Sequence, residues 1–237
     1  AAATRSDLQG EIASMHAHRD AWRDLHAQLA AAHGVHILAG SYPWRLDDGR
    51  YVNRAFLCLA DGRVGHQDKC VMTRCEREQW NIAAEPPVKV FDTALGKLAI
   101  NICYDAEFPL LARAACEAGA EIILVPSCTD TLAGYYRVKV GAQARALENQ
   151  CFVVQSPIVG EAAWSPAVDV NIGSAGVYGP PDRGFPDDGV IATGALNEPS
   201  WLYAEIDPAK VAEVRENGAV RPFRHWPESI AWPVERR

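Results

Sequence analysis

Apolar positions along the chain follow two rhythms. In residues 20–33 they recur at Trp22, Leu25, Leu29 and Ala32, a helical spacing, and Gly34 follows as a helix stop. Shorter apolar runs predict strands at 35–40 and 54–60; the Asp61-Gly62 turn closes the second, and 64–69 returns from it as a hairpin. Two more strands, 88–91 and 97–103, flank residues 92–96. From Pro109 the pattern alternates: a helix at 110–118 closed by Gly119, a buried strand at 121–126, a helix at 138–149 and a strand at 151–155. Such alternation builds βαβ units whose strands are covered by helices. Residues 173–194, with many Gly, Pro and Asp, read as loops and short hairpin strands. A late strand is expected at 202–206 and a short helix after Pro208. Residues 221–237, rich in Pro, Trp and Arg, read as an extended tail packed on the body or on a partner subunit.

One strand end carries candidate chemistry. Residues 98–102 are mostly aliphatic and Phe108-Pro109 opens a helix with proline in its first turn, so Cys103 stands at the carboxyl end of a buried strand. Open α/β sheets place ligands there, and neighbouring N–H groups can face a developing negative charge. A thiol in that place is either a nucleophile or an inert core residue, and a nearby cation and base decide between the two. Lys69, ending the hairpin strand, is the first candidate cation. Glu76 and Glu78 follow it in the polar segment 72–80.

Composition narrows the ligand. The 237 residues are 49% hydrophobic, enough for one large α/β domain over 1–237, and the net charge of −7 includes no basic block that would suit nucleic acid. No apolar run reaches membrane-spanning length, so a small soluble ligand is expected. Seven cysteines, an odd number without CxxC pairs, support neither a disulfide framework nor a zinc site, and a reducing cytoplasm is the simplest setting. His16, His18 and His26 have no partnering carboxylate or cysteine pattern and read as a solvated face. The first residues lack the layout of a secretion signal, and the absence of an initiator Met points to a truncated chain. No GxGxxG, Walker or GxSxG pattern is present, which removes the main support for dinucleotide, nucleoside triphosphate and serine hydrolase readings.

Four motifs now fall in order: Asp68-Lys69 with Thr73-Arg74-x-Glu76, Asn101-Ile-Cys103-Tyr-Asp105 with Phe108-Pro109, Val125-Pro-Ser, and Arg145-Ala-x-Glu148-Asn149. Together they resemble the carbon-nitrogen hydrolase (nitrilase) superfamily, on its amidase side, from about Gly40 to Arg215. The resemblance implies a four-layer α-β-β-α sandwich that dimerises, acts on a small-molecule amide and uses a Cys-Glu-Lys site with no metal or organic cofactor. Carried over by match, Cys103 is the nucleophile, Lys69 the cation beside the oxyanion, and Glu76, by its place in the motif, the glutamate that orients the site. The Tyr104 N–H becomes the second oxyanion donor. Tyrosine after the cysteine resembles amidases, whereas nitrilases more often have tryptophan. Ser127, Cys128 and Thr129 are expected to wall the pocket. Trp164 is a lid or plain packing, and Glu107 shapes local polarity or favours the helix start.

One departure from the family pattern stands out. Members place a general-base glutamate after an early strand, in a hydrophobic-Pro-Glu motif, and this sequence has none; Glu11, the only glutamate before Gly40, lies in the polar context Gln9-Gly-Glu-Ile-Ala just before a helix. The expectation is therefore that the N-terminal strands with the base are missing, leaving a sheet with an unpaired edge and a crippled fragment of a working hydrolase. A catalytically inactive binding or assembly subunit is the alternative. A Cys-His hydrolase would need His66 against the sulfur, and a glutaminase-type elbow would need glycines where Ile102 and Tyr104 stand.

Overall fold

The computed structural model describes residues 5–230 and 232–236. Two helices, α1 (Arg5–Met15) and α2 (Arg19–His33), precede the strands β1 (Ile37–Arg45), β2 (Tyr51–Cys58) and β3 (Val64–Asp68). The short helix α3 (Arg74–Glu78) and β4 (Ile82–Ala83) lead to the hairpin β5 (Val90–Thr93) and β6 (Gly96–Ile100). Then α4 (Pro109–Glu117), β7 (Ile122–Ser127), α5 (Leu132–Asn149) and β8 (Phe152–Pro157) alternate as expected. The short strands β9 (Gly160–Glu161), β10 (Val170–Asn171), β11 (Gly176–Tyr178) and β12 (Val190–Thr193) follow, and then α6 (Ala209–Asn217) and α7 (Pro222–His225).

These strands divide between two main sheets. The first runs β1-β2-β3, antiparallel, with β4 parallel to β2; the second runs β12-β11-β8-β7-β6-β5, with β6, β7 and β8 parallel at its centre. Alternation along β2 explains how the layers meet. Ala55 and Leu57 face inward onto Leu98, Ile100, Ile122 and Phe152 of the second sheet, while Phe56 and Cys58 face outward onto Ala30 and Trp22 of α2. The outer face of the second sheet, through Ala99, Ile123, Val125 and Val153, meets the alanine-rich faces of α4 and α5. The result is an α-β-β-α sandwich. Each fully buried Leu or Ile in its layers contributes about 1.5–3 kcal/mol.

Several sequence expectations need correction. Strand β1 continues past Gly40 to Arg45: Gly40, at φ +72°, sits in a register shift between Leu38 and Ser41, and Pro43 is tolerated because β1 is an edge strand among the described residues. Strand β6 stops at Ile100 rather than running to Cys103, because the chain turns there. Helix α5 starts at Leu132, not 138, with the Thr131 hydroxyl accepting from the Gly134 N–H at 3.0 Å. Residues 202–206 form no strand, since no described strand pairs with them, although Ile206 packs on the inter-sheet core. Glu11 lies inside α1, not before a helix.

The tail is also not simply extended. Helix α7 and a 3-10 turn, Trp226–Ser229, fold back on the body, where the Arg215 and Arg113 guanidinium groups lie over the Phe223 ring at 3.9 and 4.4 Å. Residues 231 and 237 of the expected tail, and residues 1–4 of the segment read for a leader, lie outside the described residues. Among the described residues no helix is long and apolar enough to cross a membrane.

Candidate active site

The two sheets deliver the two halves of the site. β6 ends at Ile100, and Asn101 and Ile102 carry the chain to Cys103, which adopts a left-handed φ of +50° at the start of a 3-10 turn, Cys103–Glu107. A non-glycine residue in that region is strained, and such strain persists only where the surroundings hold it. Here Arg145 of α5 donates to the Ala106 carbonyl at 3.0 Å, and Gly141 lets the helix backbone approach so closely that an added Cβ would lie 2.8 Å from that oxygen. The elbow is thus made without flanking glycines.

Lys69 comes from the other sheet, one residue past β3. It is 2% exposed, its N–H donates to the Asn53 carbonyl at 2.8 Å, and its Nζ donates to Glu76 Oε2 at 2.6 Å. Glu76 occupies the third position of α3 and closes a capping box with Thr73, whose N–H and hydroxyl donate to Oε2 at 2.8 and 2.9 Å. Asn53 of β2 donates to Oε1 at 3.2 Å. Burial alone would raise the Glu76 carboxyl, but Lys69 and the Thr73 donors outweigh it and hold it below its ordinary value. Glu78, by contrast, is exposed and pairs with Arg74 in solvent.

Cys103 is partly buried, and its sulfur donates to the Cys128 carbonyl at 3.6 Å. Burial pushes the thiol above its ordinary value. Lys69 and the Tyr104 N–H oppose that rise, Glu76 adds to it, and the net is upward. The resting sulfur is therefore a thiol at neutral pH, so the ammonium alone does not ionise it and a proton acceptor is required.

The remaining candidates occupy different places. Ser127, at the end of β7, is buried and its hydroxyl has no hydrogen-bond partner among the described residues. The Cys128 thiol donates to Asn171 Oδ1 at 3.1 Å and is pushed up to about 11 by burial, with Cys103 and Asp130 adding. The Thr129 hydroxyl is engaged with the Ile172 carbonyl at 2.7 Å, a bond that anchors the strand end. Glu107 lies 3.7 Å from Arg137; burial raises its carboxyl, with Arg137 and Lys69 opposing. Trp164 is 83% exposed, so its ring contacts almost nothing. Glu11 accepts from the Ser165 hydroxyl. His66 shares a face of β3 with Asp68, against Phe56 on the side of the first sheet turned to α2, away from the face on which Leu57 meets the second sheet.

Sequence reading gave no role to three supports: Asn53, Thr73 and Asp105. Thr73 was readable as the cap of a T-x-x-E box. Asp105 is 1% exposed, and its carboxylate accepts from the N–H groups of Cys70, Val71 and Ile102. Among the described residues no group of three or more His, Cys, Asp or Glu is arranged to hold a metal ion.

Residues 19–216 match the carbon-nitrogen hydrolase family. The chain belongs to that family. It is 38% identical over 200 residues to "Probable hydrolase YhcX" of Bacillus subtilis (strain 168), which covers 84% of this chain but only 39% of that protein. It is 29% identical over 209 residues to "Omega-amidase NIT2-B" of Xenopus laevis, covering 85% of this chain and 72% of that one. The carbon-nitrogen hydrolase from Helicobacter pylori G27 superposes with a TM-score of 0.76 at 23% identity, over 92% of this chain and 74% of that one, and establishes the shared fold.

Proposed function

We propose that the chain is the nucleophile-bearing part of an amidase that cleaves a small aliphatic carboxamide to carboxylate and ammonia. Cys103 attacks the carbonyl carbon, and the tetrahedral oxyanion is held by the Lys69 ammonium and the Tyr104 N–H. The proposed glutamate base takes the thiol proton and returns it to the nitrogen as the C–N bond breaks, so collapse expels ammonia and leaves a thioester, which water hydrolyses to the carboxylate and the free thiol. The observation that supports this reading is that Asp105 joins the segment directly after Lys69 to the turn that carries Cys103, and that the Lys69 charge opposes the rise of the thiol. Tyr104 after the cysteine and the omega-amidase relative support an amide over a nitrile. The unpartnered Ser127 hydroxyl offers a polar contact for the substrate.

Glu76 is already bound to Lys69 and Thr73, so the base we propose is a separate glutamate supplied from upstream sequence, as the family resemblance implies. A cytoplasmic homodimer belongs to the same proposal. All seven cysteines are unpaired, and α5 exposes Leu132, Tyr136, Val140 and Leu147 along its outer surface.

Ammonia release from a panel of small amides tests the reading, measured on residues 1–237 and on a chain extended at its N-terminus. Release by the extended chain that is abolished by Cys103→Ala and cut about 100-fold or more by Lys69→Met is expected. Release from neither chain would favour the non-catalytic binding or assembly subunit.

A further inference from the structure

Apolar packing between sheets is non-directional and sets their spacing without fixing how one slides over the other. A site assembled from both sheets needs directional bonds between the two supporting segments, and one buried side chain makes them. Asp105 Oδ1 accepts from the Val71 N–H at 2.8 Å and the Cys70 N–H at 3.2 Å; Oδ2 accepts from Cys70 at 3.2 Å and from the Ile102 N–H at 3.2 Å. Cys70 and Val71 directly follow Lys69, and Ile102 directly precedes Cys103.

We infer that Asp105 is a positioning residue that clamps the Lys69 segment to the Cys103 turn and so fixes the cation against the thiol. The role rests on the proposal that those two groups act together. All three donors are N–H groups, so only the ionised carboxylate, an acceptor at both oxygens, satisfies them; a protonated acid or an amide sets a donor against a donor. Burial pushes this carboxyl up to about 6, with the Val71, Cys70 and Ile102 N–H groups and Lys69 opposing. Lys69 and the Cys70 thiol face it from the segment after β3. Arg145 of α5 reaches the adjacent Ala106 carbonyl, Glu107 lies on the same turn, and Glu76 of α3 acts through Lys69. The clamp is therefore closed at neutral pH and opens as pH falls through about 6.

The test reads the thiol and the amides rather than turnover, so a failure of amide hydrolysis would leave it decisive. The pH dependence of Cys103 alkylation by iodoacetamide, followed on the Cys103 peptide, gives the thiol midpoint. Removing an anion by Asp105→Asn would by charge alone lower that midpoint. Loss of the clamp instead lets Lys69 move away, so the expected result is a rise of about one unit in the variant, with no further rise when Asp105→Asn is added to Lys69→Met. An unchanged or lowered midpoint would overturn the inference. Should Asp105→Asn not fold, hydrogen exchange on the unaltered chain decides: the Cys70 and Val71 amides are expected to be protected at pH 7 and to lose protection below about pH 6 while β2 keeps its own. Protection indifferent to pH across that range would refute the clamp.

Discussion

Lys69 and Glu76 show how much a site can depend on one buried pair. Replacing a buried ion pair with apolar residues is often neutral, but removing one partner strands a charge and costs about 3–5 kcal/mol. Glu76→Gln keeps the shape and removes the charge, so a loss of about 3 kcal/mol is expected in urea unfolding at pH 7. The sign of the pH dependence follows from the depressed carboxyl. Its contribution is present above the unfolded value, about 4.3, and fades as pH falls through the folded value, so the gap between the native chain and the variant should close in acid. Asp105 acts in the opposite sense, since a carboxyl raised to about 6 costs stability as it ionises between about pH 4 and pH 6. Glu76 was picked out by its place in the family motif, and the structure adds the capping box that ties it to Thr73 three residues before. Asp105 was not, because its Cys70 and Val71 donors are backbone groups 35 and 34 positions away, which no local pattern reveals.

At the scale of elements, what the pattern carried was the hydrophobic periodicity, and what it lost was the effect of glycine. The β7-α5-β8 alternation was readable because apolar strands and a helical repeat follow one another. Helix α2 was readable as a helix but its inward face was not, since Leu25, Leu29 and Ala32 are exposed and Trp22, Ala27 and Ala30 pack on the first sheet. Gly40 and Pro43 hid the second half of β1, where a bulge and an edge position accommodate them, and the polar and glycine positions ahead of 138 hid the first turns of α5. Gly141 is where that helix meets the Cys103 turn. Gly141→Ala would place a methyl group 2.8 Å from the Ala106 oxygen, so helix and turn must separate. Such overpacking costs about 1–3 kcal/mol. A lowered thermal midpoint is expected by circular dichroism, together with a loss of ammonia release by the N-terminally extended chain beyond that explained by unfolding, assayed well below the transition. The segment 202–206 looked like a strand by composition, but a strand also needs a neighbour, and sequence does not supply one.

On the proposed reading, the sandwich brings a cation from one sheet to a thiol on the other. Periodicity alone indicated helices covering strands; the division into two sheets came from the family resemblance, because which strands pair is a matter of long-range register rather than local pattern. The same holds for the candidate site. Cys103 and Lys69 were each visible at a strand end, while their approach depends on β3 and β6 lying in facing layers. Burial pushes the Cys103 thiol up, so under the proposed function its reactivity comes from geometry and a base rather than from a thiolate already formed. The most direct measurement is acid-quench peptide mapping after brief exposure to a small activated acyl ester. A single acyl group on Cys103, with slower labelling in Lys69→Met, is the predicted result; acylation that spares Cys103, or that Lys69→Met leaves as fast as before, would contradict the account.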